Sequence, residues 1–414
     1  MINFFQKNKY RIAIFLAVFG PATITAISDN DAAGVATYSL AGAKFGYSIL
    51  FILIFITVLL AITQEMGVRI ATVTGKGLGD LIRERYGIIV SVFVFFALSI
   101  ANLGSVVANF SALKAVFHMF NLPVLPMLVA AIVFCYLLVG KGNYHTNQRV
   151  FLLAIILYFS YIFSAFKAHP NWNLALSNLF YPTGVSLNKE YIFGAIAVLG
   201  TTITPWGQFF VHSFVIDKKM GVDKLKYAQL ETYFGAFLTD FFTFFMIVAT
   251  AATLFTHKIS LVSGEQAALA IRPFAGELAG ILFGIGLINA ALMGIIIISL
   301  TTAYAFSEFF GYEGSLDSSL ERGKLFYGIF IFQLIISFIL VMMPSISLFK
   351  IVFYTQSLNS LLLPFVFYFL LKITNNKDLM GEHTNNRFYN VLAIFGSITI
   401  VVCSSFVIIS AFLK

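Results

Sequence analysis

Long apolar runs alternate with short polar ones along nearly the whole chain, and no stretch has the mixed pattern of a soluble domain. A helix needs roughly 20 apolar residues to cross the hydrocarbon core of a bilayer. Runs of that order predict spans at 12–40, 47–72, 88–117, 123–139, 150–166, 191–215, 229–256, 276–309, 325–343, 347–371 and 389–412. Several exceed the length of a crossing, which permits tilt or a break without fixing an angle. The longest polar gap, 167–190, separates the first five spans from the rest. The chain therefore divides into 1–166, an external loop at 167–190, a second group at 191–374 and an additional C-terminal helix within 375–414.

Composition turns these runs into membrane helices. Of 414 residues, 59% are hydrophobic and only 11% charged, where a soluble domain carries roughly a quarter charged residues. Lipid must be the solvent for most of such a surface. The net charge of +8 forms no basic stripe, so nucleic acid is not expected as a partner. Most of the 26 Lys and Arg instead fall on one side of the spans, among them Lys7, Lys9, Arg11, Arg69, Lys76, Arg83, Lys218 and Lys224. By the positive-inside rule this places the N-terminus in the cytoplasm and the C-terminus outside, in the cell membrane. The basic start leads into a retained first helix with no small-residue cleavage site. Cys135 and Cys403 lie in apolar runs and read as packing residues.

Two spans break the apolar pattern, and they hold matching places as the first of spans 1–5 and the first of spans 6–10. The earlier reads GPATITAISDNDAAGVATYSLAG, with Asp29 and Asp31 near mid-span beside Ser28, Asn30 and Gly34. The later reads AIAVLGTTITPWGQFFVHSF, with Gly200, Pro205 and Gly207 around Thr201, Thr202 and Thr204. Glycine and proline free backbone carbonyls, which inside a bilayer must find partners or line a cavity. Broken helices at corresponding positions mark a midplane binding site between inverted repeats, here five helices plus five.

A carboxylate within the bilayer is costly and marks function by default. Asp31 is the first candidate, weighed against an ionised residue in a water-filled vestibule. Asp29 is either protonated or caps a helix half, because adjacent carboxylates repel. Asp240, in LETYFGAFLTDFFTF, either joins the ion path or pairs with a hydroxyl. Glu65 and Arg69, one turn apart, read as an ion pair. Carboxylate, hydroxyl, carbonyl and amide oxygens suit a hard cation such as magnesium, calcium or manganese. Neither break holds Cys, His or Met, and His212, two turns further on, is expected to face the inner vestibule. The histidines are scattered one per segment without the pairing a metal-dependent hydrolase needs, so the chain does not read as an enzyme.

The same segments carry a family resemblance. GPATITAISDNDAAGVATYSLAGAKFGYS, QEMGVRIATVTGKGLGDLIRERYG, LGTTITPWGQFFVHS, LFGIGLINAALMGIIIISLTTAYAFSEFFG and YTQSLNSLLLPFVFYFLLKITNNKDLMG resemble helices 1, 2, 6, 8 and 10 of the Nramp family of divalent metal transporters. The likeness spans nearly the whole chain, with GKGLGDLIRERYG and NNKDLMG anchoring the register. It implies an all-α integral membrane fold of about eleven helices, an inverted repeat of the amino-acid-transporter (LeuT-like) type. Helices 1 and 6 would unwind around a metal that is cargo and not cofactor.

The departures from the family pattern shape the expected cargo. The family's Asp-Pro-Gly-Asn becomes Asp31, Ala32, Ala33 and Gly34, so Gly34 stands where the amide ligand is missing. Thr201 stands at the family's helix 6 alanine, Thr204 at its methionine and Trp206 at its histidine, and the loss of the thioether removes a soft ligand. Gln356 matches a helix 10 glutamine that approaches the ion. Asn102 and Ser105 replace the helix 3 acids, and the helix 9 arginines are absent from YGIFIFQLIISFILVMMP. These features resemble the divergent Nramp-related magnesium transporters, which work without obvious proton coupling. Magnesium keeps several waters, which suits a site with few protein ligands.

The resemblance thus implies alternating-access transport of Mg²⁺, and also Mn²⁺, without proton coupling. Asp31 would supply charge, Thr204 and Gln356 oxygen contacts, and the carbonyls of Ser28 and Thr201 the remainder, with Gly34 lining the site. The alternatives are a proton-coupled Mn²⁺/Fe²⁺ importer using Asp29 or Asp240, and a carrier of an organic solute on the same fold.

Overall fold

The computed structural model describes residues 14–412 apart from 16, 186–187, 260, 262–266 and 344–347. The side chains of 268–269, 348–357, 360, 403–404 and 406–412 also lie outside the described set, which leaves Gln356 and Cys403 without a described side chain. In chain order the helices are α1 (Pro21–Ser28), α2 (Ala32–Phe45), α3 (Phe51–Thr74), α4 (Leu78–Met119), α5 (Val124–Lys141), α6 (Tyr144–Leu157), α7 (Phe159–Lys167) and α8 (Trp172–Phe180). Then follow α9 (Lys189–Thr202), α10 (Pro205–Asp217), α11 (Leu225–Thr250), α12 (Ala267–Ala275), α13 (Glu277–Phe310), α14 (Lys324–Met342), α15 (Leu348–Thr374) and α16 (Arg387–Phe412). No strand occurs among the described residues.

Among the described residues seven elements are long and apolar enough to cross a membrane: α3, α4, α5, the pair α6–α7, α11, α13 and α14. Ile89, Phe93, Phe96 and Ile100 recur at helical spacing along α4 and are all exposed, while Asn102, Ser105 and Asn109 of the same helix are buried. Apolar outside and polar inside is the pattern of a lipid-facing helix, in which backbone groups are satisfied within the helix itself. The molecule is a multi-pass integral membrane protein.

Among the expected spans outside those seven are the two with polar interruptions, each divided into shorter helices. The first is cut into α1 and α2 at Asp29–Asp31, and the second into α9 and α10 at Ile203–Thr204. Proline begins both α1 and α10, a first-turn position that needs no intrahelical N–H.

Two expectations need correction. The polar gap at 167–190 is not all loop, because Asn171 accepts a hydrogen bond from the Leu174 N–H at 3.0 Å and caps the short helix α8. The third span is also longer than its apolar run. Helix α4 starts at Leu78 and turns a corner at Gly87, whose φ of 81° is open to glycine. The amphipathic GKGLGDLIRERYG segment is therefore joined to the membrane helix it precedes.

The Glu65–Arg69 pair forms as expected, with both carboxylate oxygens accepting from one buried guanidinium at 2.9 and 3.0 Å. Arg69 also donates to the His383 carbonyl and to Asn385 Oδ1, each at 2.6 Å. The segment ahead of α16 is thereby tied to the C-terminal part of α3.

Candidate functional site

The last carbonyls of a helix and the first N–H groups of the next have no intrahelical partner, and the two breaks together leave four such ends. At the first break Asp31 caps α2. Its Oδ1 accepts from the Gly34 N–H at 2.8 Å and its Oδ2 from Asn109 Nδ2 at 2.8 Å. Asn109 closes the ring by accepting from the Ala32 N–H at 2.9 Å. An amide of α4 therefore orients both the carboxylate and the start of α2.

Gly34 has a steric reason to lack a side chain. A Cβ there would lie 2.7 Å from the Asp29 carbonyl oxygen. The close approach of the unwound backbone thus leaves no space for a side chain at this position.

Asn30 anchors the same break from the other side. Its Nδ2 donates to the Thr239 carbonyl at 2.9 Å, its Oδ1 accepts from Thr243 Oγ1 at 2.9 Å, and its carbonyl accepts from Tyr158 at 3.1 Å. The turn is thus pinned to α11 and to the α6–α7 junction.

At the second break Thr204 caps α10, accepting from the Gly207 N–H at 3.1 Å. Its hydroxyl donates to Asp29 Oδ1 at 2.9 Å, which joins the two broken helices directly. The structure therefore brings Thr204 to Asp29, and brings Asp31 to Asn109. Both carboxylates are almost fully enclosed, Asp29 at 1% and Asp31 at 5% exposure. The ion pairs among the described residues include neither.

The remaining expected residues fall into place around this pair. Ser28 ends α1 and its hydroxyl donates to the Ile24 carbonyl at 2.6 Å, leaving its own carbonyl among the free helix-end oxygens. Thr201 lies in the last turn of α9 and is half-buried, beside Thr202, whose hydroxyl meets that of Tyr38 at 2.8 Å. Asp240 stands apart: its Oδ2 accepts from Thr57 of α3 at 2.7 Å, the hydroxyl pairing weighed above, and its Oδ1 has no partner. His212 does not face a vestibule. It is fully buried against Gly67 of α3, with Nδ1 2.6 Å from the Gln208 carbonyl.

Asn109, Gln64 and Gln208 complete the site and were not singled out from the sequence. Asn102, Ser105 and Asn109 do recur along one face of α4, and that polar stripe in an apolar run was the available signal. The two glutamines left no such mark.

The two ends of the bundle differ. Helix α1 is buried along its whole length and α10 from Pro205 to Val215, whereas α2 and α9 expose Leu40, Lys44 and Ala197. Between α2 and α9 lies an open cavity of about 400 Å³ lined by Thr37, Ala41, Phe45 and Phe193, with Lys44 and Glu190 paired at its mouth, 3.1 Å apart. The α1/α10 end is closed.

The sequence matches the family model described as natural resistance-associated macrophage protein-like over residues 22–410. It is 22% identical to the divalent metal cation transporter MntH of Bacillus subtilis over 96% of this chain and 93% of that one. Among solved structures, the Eremococcus coleocola manganese transporter superposes with a TM-score of 0.75 at 18% identity, covering 94% of this chain and 85% of that one. A Na⁺-coupled sialic acid symporter in an outward-open state aligns at a TM-score of 0.55 with 12% identity, covering 97% of each chain.

Proposed function

This chain belongs to the Nramp family, and on that premise we propose that it is a secondary transporter of divalent metal ions. The relatives named for that activity are matched over nearly their whole length. Its cargo is a hard cation, Mg²⁺ with Mn²⁺ also carried, moved by alternating access in the cell membrane with the N-terminus cytoplasmic. The observation that carries this reading is the meeting of the two broken helices at Asp29, Asp31 and Thr204. Two enclosed carboxylates stand there with hydroxyl, amide and carbonyl oxygens and no sulfur ligand. An all-oxygen set favours Mg²⁺, Ca²⁺ or Mn²⁺ over softer transition metals.

The structural arrangement supports roles for individual groups. Asp31 supplies charge from a position fixed by Asn109. Thr204 supplies an oxygen contact, direct or through water, and the carbonyls of Ser28 and Thr201 the rest, with Gly34 giving room; Gln356, whose side chain lies outside the described residues, is assigned its contact from the family resemblance alone. Among the described residues no three His, Cys, Asp or Glu converge as a closed metal cage, which suits an ion that keeps part of its hydration and must leave again.

Transport without proton coupling is the second half of the proposal. Asn102 of α4 is neutral and donates to Thr302 Oγ1 at 3.0 Å, and α14 carries no arginine along Lys324–Met342. One observation favours the proton-coupled reading instead: Asp240 is a buried acid with one free oxygen, next to the residues that hold Asn30.

The test is uptake into proteoliposomes. The intact protein is expected to accumulate Mg²⁺ and Mn²⁺, and Asp31→Ala to abolish both. Undiminished uptake by Asp31→Ala would overturn the assigned site.

A further inference from the structure

We propose that Asp29 is a second carboxylate of the ion site, and that Gln64 and Gln208 hold the waters the ion retains; this rests on the divalent-transport reading above. The two carboxylates of the first break face opposite ways. Asp31 turns to α4, where both its oxygens already accept short bonds, from Gly34 and Asn109 at 2.8 Å each. Asp29 turns to α3 and α10. Its Oδ1 accepts from Thr204, but its Oδ2 has only the Gln64 amide at 3.5 Å, at the outer limit of a hydrogen bond. The freer carboxylate oxygen of the pair is therefore on Asp29.

The surroundings of Asp29 are built for a solvated ligand. Gln64 and Gln208 are both at least 99% buried, yet the Oε1 of each has no hydrogen-bond partner. Gln64 reaches Asp29 with its other amide atom, and Gln208 reaches Thr63 with its own, 3.5 Å away. Buried acceptors need donors, and water on a divalent ion is a strong one. Magnesium in particular binds through few protein oxygens and keeps several waters. Gly207 leaves the space open, since a Cβ there would sit 3.2 Å from Asp29 Oδ1.

Charge points the same way. Two enclosed carboxylates without a paired Lys or Arg are balanced by one doubly charged ion, and a buried charge left uncompensated is costly. Asp31 would bind the ion on the α4 side, and Asp29 with the two glutamines would take its hydrated α3–α10 side.

Calorimetric binding of Mg²⁺, Mn²⁺ and Cd²⁺ to the purified full chain tests this, in the wild type and in Asp29→Asn, Gln64→Leu and Gln208→Leu. Asp29→Asn is expected to weaken Mg²⁺ and Mn²⁺ by about tenfold or more. Either glutamine variant is expected to weaken Mg²⁺, which sheds water reluctantly, several-fold more than Cd²⁺. Pulsed EPR of bound Mn²⁺ in ¹⁷O-water is expected to show bound water that diminishes in the glutamine variants. Unchanged Mg²⁺ affinity in Asp29→Asn, or equal losses for all three ions in the glutamine variants, would overturn the proposal and leave the transport reading standing. A wild type that binds none of the ions would overturn the transport reading itself.

Discussion

A hydroxyl at position 204 does two things that a thioether does not. It accepts from the Gly207 N–H and so starts α10, and it donates to Asp29 and so joins the two breaks. Methionine has no donor and its sulfur is a weak acceptor, so Thr204→Met is expected to loosen the cap while adding a soft ligand. Cap loss costs about 1 kcal/mol, small enough for the variant to fold. Competition assays are expected to show Mn²⁺ and Cd²⁺ gaining on Mg²⁺; an unchanged order of competition would remove residue 204 from the ligand set. Asp31 and Thr204 were legible in the sequence because an acid or a helix-starting hydroxyl inside an apolar run has few structural excuses. Asn109, Gln64 and Gln208 were not, because an uncharged amide in a membrane helix is common enough to pass as packing. Which amides face the break depends on how α3, α4 and α10 pack, and a single chain's pattern does not carry that.

Helix α1 shows how an element can be both broken and held. Its free N-terminal N–H groups are capped from α11, where Glu231 Oε1 accepts from Gly20 and Thr23 at 3.0 and 2.8 Å. The chain entering it is clamped by Lys218, which donates to the Val18 and Phe19 carbonyls, and by Gln148, which donates to the Phe19 carbonyl. Gly20 fits this junction with a φ of 144°, where a Cβ would lie 2.2 Å from Gln148 Nε2. Three helices thus hold the closed end through a few polar contacts, an arrangement that can release as a unit.

Hydrogen bonds to a charged acceptor contribute about 1.5–3 kcal/mol each. Neutralising Glu231 weakens two of them together, and 1.4 kcal/mol corresponds to about tenfold in an equilibrium. Glu231→Gln is therefore expected to raise the thiol-labelling rate of a cysteine at Val18 by about tenfold, in a background with Cys403 replaced by Ser. Unchanged labelling would show that Glu231 does not hold the closed end. The sequence marked this span as broken, since Asp29 and Asp31 interrupt it beside Ser28, Asn30 and Gly34. The latch itself was hidden, because Glu231 sits near a helix end where an acid reads as solvated.

At the scale of the molecule, the apolar runs located the spanning helices, and the two places where the pattern failed located the broken helices that meet at the candidate site. The pattern failed at helix boundaries for a physical reason. Apolar length reports the hydrocarbon thickness, and so it missed the pre-span part of α4 ahead of Gly87 and the capped helix α8, both outside the apolar runs. The family and fold followed from motif register, while ion preference and coupling turn on hydration and on a few buried groups.

Helices α1 and α10 are packed shut, while a cavity opens between α2 and α9. The central claim is that the transported ion is hard, divalent and moves without a proton. The direct measurement follows Mg²⁺, Ca²⁺ and Mn²⁺ side by side in proteoliposomes that enclose a pH-sensitive dye. Uptake of Mg²⁺ and Mn²⁺ with no acidification of the lumen is the expected result. Uptake that requires an inward proton gradient and acidifies the lumen would contradict it.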